Sequence, residues 1–339
     1  MIRSKILGVG SFVPEGVVKN DDLRTQWGID TTDEWIRQRT GIEERRWVEQ
    51  DSDVGPSDLA VVACTRALKS AGVDKSEIDM IVFATLSPDH EFPGAGCFLQ
   101  AKLGLPGIPA IDIRQQCTGF IYGISVADQY IRSGEKKRIL VVGAEVQSRA
   151  LDKTTRGREI SVLFGDGAGA VVVGDAKSED TGGPQILSTH LHADGAYARE
   201  LWLKYPGTAI KGERMTPKLL EGIEYYPEMN GKTVFQHAVK KMPEAIMEGL
   251  NKNDLKISDV DLFVFHQANL RINEYVAKVL EIPEEKVFNT IQKYGNTTAA
   301  TIPIGLDEAV RAGKLKPGMT VALAAFGSGF TWGSAILRW

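Results

Sequence analysis

The sequence predicts an α/β protein made of two similar halves, and two observations support this. Apolar runs typical of buried strands alternate with helical segments that have clear start and stop signals. A stretch of the first half also recurs in the second half at a nearly constant offset. Together these observations predict helix–strand units around a largely parallel sheet in each half, with a pseudo-twofold axis between the halves.

The strands and helices follow from local patterns. One helix is predicted to begin at Pro56 and to end at Gly72, since proline favours a first helical turn and glycine a helix end. Another follows Cys117 and ends at Gly134. Four apolar runs are suited to strands buried on both faces: residues 80–86, 138–146, 262–268 and 320–327.

The internal repeat has two parts. Residues 67–84 match residues 249–266 at an offset of 182, and residues 126–134 match residues 305–313 at an offset of 179. A three-residue deletion in the second copy explains the difference. The repeat therefore predicts an N-terminal half comprising residues 1–180 and a C-terminal half comprising residues 181–339.

The second offset suggests where the chemistry lies. At an offset of 179, Asn296 corresponds to Cys117, so both residues are expected at a strand-to-helix turn. His266 ends the strand of the other match. A helix N-terminus lowers the pKa of a thiol, so we expect Cys117 to be a reactive nucleophile, whereas Cys64 and Cys97 are expected to be packed core thiols.

Each of these residues also has an ordinary structural interpretation. Taken singly, His266 is a hydrogen-bonded core histidine and Asn296 a helix N-cap. Together with Cys117, they suggest acyl transfer through a thioester. The Gly-rich segment 325–333 is either a tight turn or a loop whose backbone N–H groups hold an oxyanion.

The composition argues against several classes of function. The 339 residues are 43% hydrophobic and 25% charged, with a net charge of −4, which gives no electrostatic case for nucleic acid as partner. No apolar run approaches the ~18 residues of a membrane helix, so no membrane insertion is expected. Three cysteines are an odd and sparse set, which predicts a reducing, cytoplasmic compartment without a disulfide framework. They form no C-x-x-C pair, which argues against a structural zinc site. His190 and His192 would share a strand face, but a metal site needs more ligands, so none is expected.

Several short motifs follow one another along the chain. They are, in order, DEWIRQRTGI, RQQCTGF, FGDGAGA, HLHADG, HQANLRI, GNTTAA and FGSGFTWGSA. Together they resemble the β-ketoacyl-acyl-carrier-protein synthase III family, the initiating ketosynthases of the thiolase superfamily. The resemblance covers nearly the whole chain and implies a thiolase-like fold with αβαβα layers.

The resemblance implies a decarboxylative Claisen condensation that initiates fatty-acid synthesis and needs no cofactor. Cys117 would take the acyl group of an acyl-CoA primer. His266 and Asn296 would bind the malonyl thioester of acyl carrier protein, promote loss of CO2 and stabilise the enolate. The products would be 3-ketoacyl-acyl carrier protein, CoA and CO2. Backbone N–H groups at Cys117 and at Ser328, beside Gly327, would hold the oxyanion of acylation.

The resemblance also implies where the substrates bind. Trp35 and Arg156 would sandwich the CoA adenine, with Arg39 and Asn269 beside the CoA or pantetheine tunnel.

Further positions concern the acyl chain and the macromolecular partners. Phe92, Met229 and Gly231 would form the acyl pocket, with Phe92 closing the pocket of the partner subunit in a homodimer. Arg271 and Lys278 would engage the acidic acyl carrier protein, although an ordinary solvated helix face has the same pattern.

Two alternatives remain open. One is a related enzyme of specialised metabolism that condenses other acyl thioesters, of head-to-head or polyketide type. The acid Glu91 lies one place before the position at which head-to-head enzymes tend to have one. The other is an inactive acyl-binding scaffold subunit.

Two further features have no catalytic role in this interpretation. The segment 203–229 looks about ten residues longer than is usual in the family and has no assigned role. Arg114 is expected at a subunit contact.

Overall fold

The computed structural model describes residues 2–176, 183–218 and 222–339. The boundary predicted at residue 180 lies outside the described residues. The strands are β1 (Arg3–Phe12), β2 (Val17–Lys19), β3 (Glu44–Arg46), β4 (Met80–Ala84), β5 (Ala110–Ile113), β6 (Arg138–Glu145), β7 (Gly167–Ala176), β8 (Gln185–Ala193), β9 (Leu201–Trp202), β10 (Glu228–Met229), β11 (Leu262–Phe265), β12 (Thr320–Gly327) and β13 (Thr331–Arg338). The α-helices are α1 (Asn20–Trp27), α2 (Asp33–Thr40), α3 (Pro56–Ala71), α4 (Ala95–Leu103), α5 (Gly119–Arg132), α6 (Arg158–Ser161), α7 (Gly231–Lys252), α8 (Leu270–Val279), α9 (Ile291–Tyr294) and α10 (Thr301–Arg311).

Two sheets of matching topology form the centre of the molecule. The first has the order β1-β7-β6-β4-β5 and the second the order β8-β13-β12-β11. In the first sheet, the pairs β1·β7 and β7·β6 are antiparallel, and the pairs β6·β4 and β4·β5 are parallel. In the second sheet, the pairs β8·β13 and β13·β12 are likewise antiparallel, and the pair β12·β11 is parallel. Beyond β11, Phe263 forms a parallel bridge with Val287 at the place that β5 occupies in the first sheet. The predicted duplication is therefore confirmed by the strand order.

Helices cover both faces of each sheet. In β6, Ile139 faces a central core that contains α5 and α10, whereas Leu140 faces an outer core formed with α3 and α4. In β12, Val321 faces the central core and Ala322 faces α7 and α8. Because successive side chains of a strand point to opposite faces, this alternation gives the predicted αβαβα layers.

The register of the repeat differs from the prediction at one important place. The 3-10 turns Gln116–Thr118 and Thr298–Ala300 are equivalent, and each begins with a non-glycine residue of positive φ, 44° at Gln116 and 52° at Thr298. The helices that follow have 14 and 11 residues, so the three-residue deletion lies inside the helix and not before it. Cys117 therefore corresponds to Ala299, and the predicted equivalence of Cys117 with Asn296 is wrong.

Other expectations are settled by burial. Cys64 is fully buried, as predicted, but Cys97 is exposed, because its side chain lies on the outer side of α4.

His190 and His192 both contact Glu248, which supports polar packing for this pair. No group of three or more metal-ligating side chains occurs among residues 2–176, 183–218 and 222–339. Within the same ranges, no helix is long and apolar enough to cross a membrane.

Candidate active site

Cys117 lies in the 3-10 turn between β5 and α5, with 8% of its surface exposed. The Gly-rich loop packs directly against it, since a Cβ added to Gly327 would lie 2.7 Å from Cβ of Cys117. The backbone N–H groups of Ser328 and of Cys117 itself contact the thiol. The structure thus brings the predicted loop residues Gly327 and Ser328 against the predicted nucleophile.

The protonation state of Cys117 differs from the expectation. Burial, and to a lesser extent the Glu145 carboxylate, raise the pKa of its thiol to about 12, although the two N–H groups lower the pKa slightly. The N-terminus of α5 does not lower the pKa of Cys117 enough to offset this desolvation. Cys117 is therefore a thiol at rest and not a preformed thiolate.

His266 follows β11 and is 3% exposed. Its Nδ1 lies 2.7 Å from Oγ1 of Thr301, the first residue of α10. Burial lowers the pKa of His266 to about 3, so the imidazole is neutral at pH 7. Its Nε2 is buried and has no hydrogen-bond partner within the described part of the chain. A buried polar atom without a partner costs free energy, so it marks a place for a ligand.

Asn296 is 4% exposed and is fixed by both its backbone and its side chain. Its N–H donates to the Leu163 carbonyl at 2.8 Å, and its Oδ1 accepts the Thr298 N–H at 2.8 Å. Because Oδ1 accepts this hydrogen bond, the NH2 group is the part of the side chain that can donate to a ligand. The Thr301 hydroxyl also lies 3.0 Å from the Thr298 carbonyl, which links Asn296 to His266 through two threonines.

Strand β12 brings the histidine and the cysteine to the same end of the second sheet. The His266 N–H donates to the Ala324 carbonyl at 2.8 Å, three residues before Gly327 contacts Cys117. The Cys117 turn also packs on the Thr298–Ala300 turn. Although the repeat register is different from the prediction, the cysteine, the histidine and the asparagine all lie on elements that meet here.

Glu145, at the end of β6, is fully buried beside this cluster and was missed by the sequence analysis. It accepts hydrogen bonds from Thr85 and Ser87 hydroxyls at 3.1 and 2.6 Å, and from the Ala299 N–H at 3.5 Å. Burial raises its pKa to about 7. A single carboxylate in an otherwise apolar strand was the signal that could have identified it.

A cavity of about 280 Å³ contains two of the predicted substrate-binding residues. Arg156 donates from Nε to Oδ2 of Asp152 at 2.6 Å, and its guanidinium lies 5.7 Å from the Tyr226 ring centroid. Met229, predicted in the acyl pocket, lines this same cavity. The lining residues are Asp152, Arg156, Gly157, Glu159, Ile160, Tyr226, Pro227, Glu228 and Met229.

Trp35, Arg39 and Asn269 form a group between α2 and α8. The guanidinium of Arg39 lies 4.4 Å from the Trp35 ring centroid, and that of Arg158 lies 4.7 Å from it. Asn269 donates from Nδ2 to the Arg39 carbonyl at 2.9 Å and caps α8 by accepting the Arg271 N–H at 3.0 Å. Its carboxamide is therefore used to join the two helices.

The remaining predicted residues lie on the surface. Phe92 is 82% exposed, so within this chain its ring lies outside the buried cluster. Gly231 is the exposed first residue of α7, where an added Cβ would meet only Met229 Cε, at 3.9 Å. Arg271 and Lys278 are exposed on α8.

Family models match two parts of the chain. The model of the 3-oxoacyl-acyl-carrier-protein synthase III domain matches residues 111–195, and that of the C-terminal domain of the same enzymes matches residues 250–339. These ranges contain Cys117, His266 and Asn296.

Similar proteins of the same length are known. The β-ketoacyl-acyl-carrier-protein synthase III of Xanthomonas campestris is 48% identical over 100% of this chain and 99% of its own length. That of Ehrlichia canis is 45% identical over 100% of both chains. The crystal structure of 3-oxoacyl-acyl-carrier-protein synthase III from Aquifex aeolicus superposes with a TM-score of 0.88 at 42% identity, covering 99% of this chain and 100% of the other. The chain therefore belongs to the β-ketoacyl-acyl-carrier-protein synthase III family and has its thiolase-like fold.

Proposed function

We propose that this family member condenses an acyl-CoA primer with malonyl-acyl carrier protein, through an acyl group on Cys117, and so initiates fatty-acid synthesis. The observation that supports this most strongly is the buried Nε2 of His266 beside the cysteine and asparagine turns, which has no hydrogen-bond partner among residues 2–176, 183–218 and 222–339. It leaves a polar position that a substrate oxygen can fill.

Acylation begins at the thiol of Cys117. Its sulfur attacks the thioester carbonyl, and the N–H groups of Cys117 and Ser328 stabilise the oxyanion. When the tetrahedral intermediate collapses, the bond to the CoA sulfur breaks. Because the pKa of Cys117 is high, its proton passes overall to the departing CoA, which leaves as a thiol.

Decarboxylation needs two donors at the malonyl thioester oxygen. Asn296 supplies an N–H from its NH2 group, since Oδ1 is held by Thr298. Neutral His266 supplies an Nε2–H when the Thr301 hydroxyl donates to Nδ1. Loss of CO2 leaves an enolate that these donors stabilise. Its carbon attacks the acyl-cysteine carbonyl, and the bond from that carbonyl carbon to the Cys117 sulfur breaks. The resulting thiolate takes a proton from solvent. The carbanion comes from decarboxylation, so the scheme requires no resident cofactor.

The partners follow from the surface. The acyl carrier protein, which is acidic, would dock beside Arg271 and Lys278 on α8.

A homodimer would form along β5, the outermost strand of the first sheet, where Arg114 is exposed next to the strand end. The exposed Phe92 would then reach the acyl pocket of the partner subunit. The free thiols of Cys64, Cys97 and Cys117 fit a reducing cytoplasm.

The proposal is tested by weighing the protein after incubation with acyl-CoA and by measuring CO2 release from malonyl-acyl carrier protein. We expect an acyl adduct that Cys117→Ala abolishes, and CO2 release that His266→Ala and Asn296→Ala each reduce. An adduct that survives Cys117→Ala would refute the assignment. Condensation without malonyl-acyl carrier protein would favour specialised metabolism, and no turnover with any acyl-CoA would favour a scaffold subunit.

A further inference from the structure

Arg45 is the middle residue of β3 and is completely buried. Its guanidinium donates to the Val18 carbonyl at 3.2 Å, to Oδ1 of Asn20 at 2.8 Å and to the Val162 carbonyl at 2.8 Å. Burial lowers the pKa of Arg45 to about 10, so the guanidinium stays protonated at pH 7. A buried cation costs free energy, and neutral oxygens offset this cost only in part. No step of the proposed condensation uses this side chain directly.

The three acceptors of Arg45 lie on three different parts of the chain, which are β2, the start of α1 and the segment 162–165. A guanidinium is a planar fork that reaches several acceptors at fixed angles, whereas the ammonium of lysine is a point charge on a flexible stem. Arg45 therefore fixes the segment 162–165 relative to β2 and α1.

The same segment holds the backbone of Asn296 on both sides. The Asn296 N–H donates to the Leu163 carbonyl at 2.8 Å, and the Asn296 carbonyl accepts the Gly165 N–H at 3.1 Å. Because Arg45 binds the carbonyl at the start of the segment 162–165, it holds the piece of chain on which the Asn296 backbone rests.

The aliphatic stem of Arg45 packs at the same place. A Cβ added to Gly165 would lie 3.3 Å from Cβ of Arg45, and one added to Gly295 would lie 3.4 Å from it. Gly165 is hydrogen-bonded to Asn296, and Gly295 directly precedes Asn296 in the chain. Both ends of the Arg45 side chain therefore contact the backbone that carries the asparagine.

The segment also has supports that do not depend on the Arg45 side chain. Nε1 of Trp47 donates to the Phe164 carbonyl at 2.9 Å. The Arg46 carbonyl accepts the N–H of Asp166, directly after the segment, at 2.7 Å. Because these contacts persist when Arg45 is replaced, we expect a replacement to shift the segment and not to unfold it.

We propose that Arg45 is a positioning residue for decarboxylation, which holds the segment 162–165 and through it places the Asn296 carboxamide at the malonyl thioester oxygen. This inference rests on the proposed function. A small displacement of a positioned group slows a reaction strongly, because the donor no longer meets the developing charge. Acylation of Cys117 uses other donors, so it does not require Arg45.

The test measures the two half-reactions separately in Arg45→Lys, which keeps the charge and loses the fork. We expect CO2 release from malonyl-acyl carrier protein, by protein already acylated on Cys117, to fall about tenfold or more. Acylation by acyl-CoA should change less than about twofold, which also shows that the variant is folded. Arg46→Lys is the matched control, because the Arg46 side chain pairs with Glu44 at 3.4 Å.

A double substitution separates positioning from a general effect on the fold. If Arg45 acts through Asn296, then Arg45→Lys should cause little further loss of CO2 release in an Asn296→Ala background. The same fold-loss in both backgrounds, an unchanged CO2 release in Arg45→Lys, or an equal loss of both half-reactions would overturn the inference.

A second variant keeps the inference testable if Arg45→Lys does not fold. Trp47→Phe removes the bond to the Phe164 carbonyl and keeps an aromatic ring in the core, so it should also slow CO2 release more than acylation. Equal changes of the two half-reactions in Trp47→Phe would then overturn the inference. If the wild-type protein releases no CO2 from malonyl-acyl carrier protein, the proposed function itself fails, and this inference falls with it.

Discussion

Nδ1 of His266 and the hydroxyl of Thr301 lie 2.7 Å apart, although the two residues are separated by 35 positions in the sequence. The same hydroxyl is 3.0 Å from the Thr298 carbonyl, so its one proton has two acceptors within reach. When the proton goes to His266, the imidazole proton lies on Nε2, which then donates into the site. We therefore expect Thr301 to act as a positioning residue, through the tautomer of His266.

Replacing Thr301 with valine tests this relationship. The valine keeps the shape but removes the hydroxyl, so Nε2 loses its preference for the protonated form. We expect CO2 release from malonyl-acyl carrier protein to fall about 10- to 100-fold, and acylation of Cys117 to change little. Thr301→Ser, which keeps the hydroxyl, is the control. Equal loss of both half-reactions in Thr301→Val would show that the threonine only supports the fold.

The sequence allowed the fold to be predicted and pointed to three candidate residues, but it did not show how these residues are connected. Cys117, His266 and Asn296 stand in short motifs whose order is specific. Thr301 and Glu145 were missed, because a hydrogen bond between distant positions has no local pattern. The equivalence of Cys117 with Asn296 was wrong because a deletion inside a helix gives the same offsets as one before it.

The reactivity of Cys117 should depend steeply on pH. Its pKa is raised to about 12, so below that value the thiolate fraction rises about tenfold for each pH unit. Alkylation by iodoacetamide should therefore accelerate about tenfold per unit between about pH 7 and 9. The alkylation rate is measured by mass spectrometry in a Cys97→Ala variant, because this substitution removes the signal of the exposed thiol. A rate independent of pH in this range would contradict the high pKa.

Glu145→Gln should speed this alkylation. The carboxylate of Glu145 raises the pKa of Cys117, and the amide has no charge. Because the pKa of Glu145 is about 7, its charge is present above pH 7 and is lost as the pH falls. The ratio of variant to wild-type rate should therefore be largest near pH 9 and should approach one near pH 5. A variant that is slower at pH 9, with an unchanged circular dichroism spectrum, would contradict this electrostatic effect.

His266 should make the protein less stable in acid. Its pKa is lowered to about 3 in the folded state, against an ordinary value near 6.5. Between these values the unfolded chain binds a proton that the folded chain does not, so the free energy of unfolding falls as the pH falls. From pH 7 to 5 this contribution is about 2 kcal/mol.

The measurement is urea unfolding of the wild type and of His266→Asn at both pH values. The asparagine does not titrate, so the variant should lose about 2 kcal/mol less than the wild type over this interval. Any constant effect of the smaller side chain cancels in this comparison. Equal losses for the two proteins would mean that His266 titrates normally.

Gly327 should tolerate no side chain. Its added Cβ would lie 2.7 Å from Cβ and 3.3 Å from Sγ of Cys117, and the nucleophile turn leaves little room to move. Gly327→Ala should therefore lower the free energy of unfolding by about 1–3 kcal/mol, as overpacking does. It should slow acylation of Cys117 as well, since the Ser328 N–H that contacts the thiol follows directly in the chain. Gly195→Ala is the matched control, because an added Cβ there meets nothing within 4 Å. Acylation at the wild-type rate in Gly327→Ala would show that the loop can withdraw without loss of the oxyanion contact.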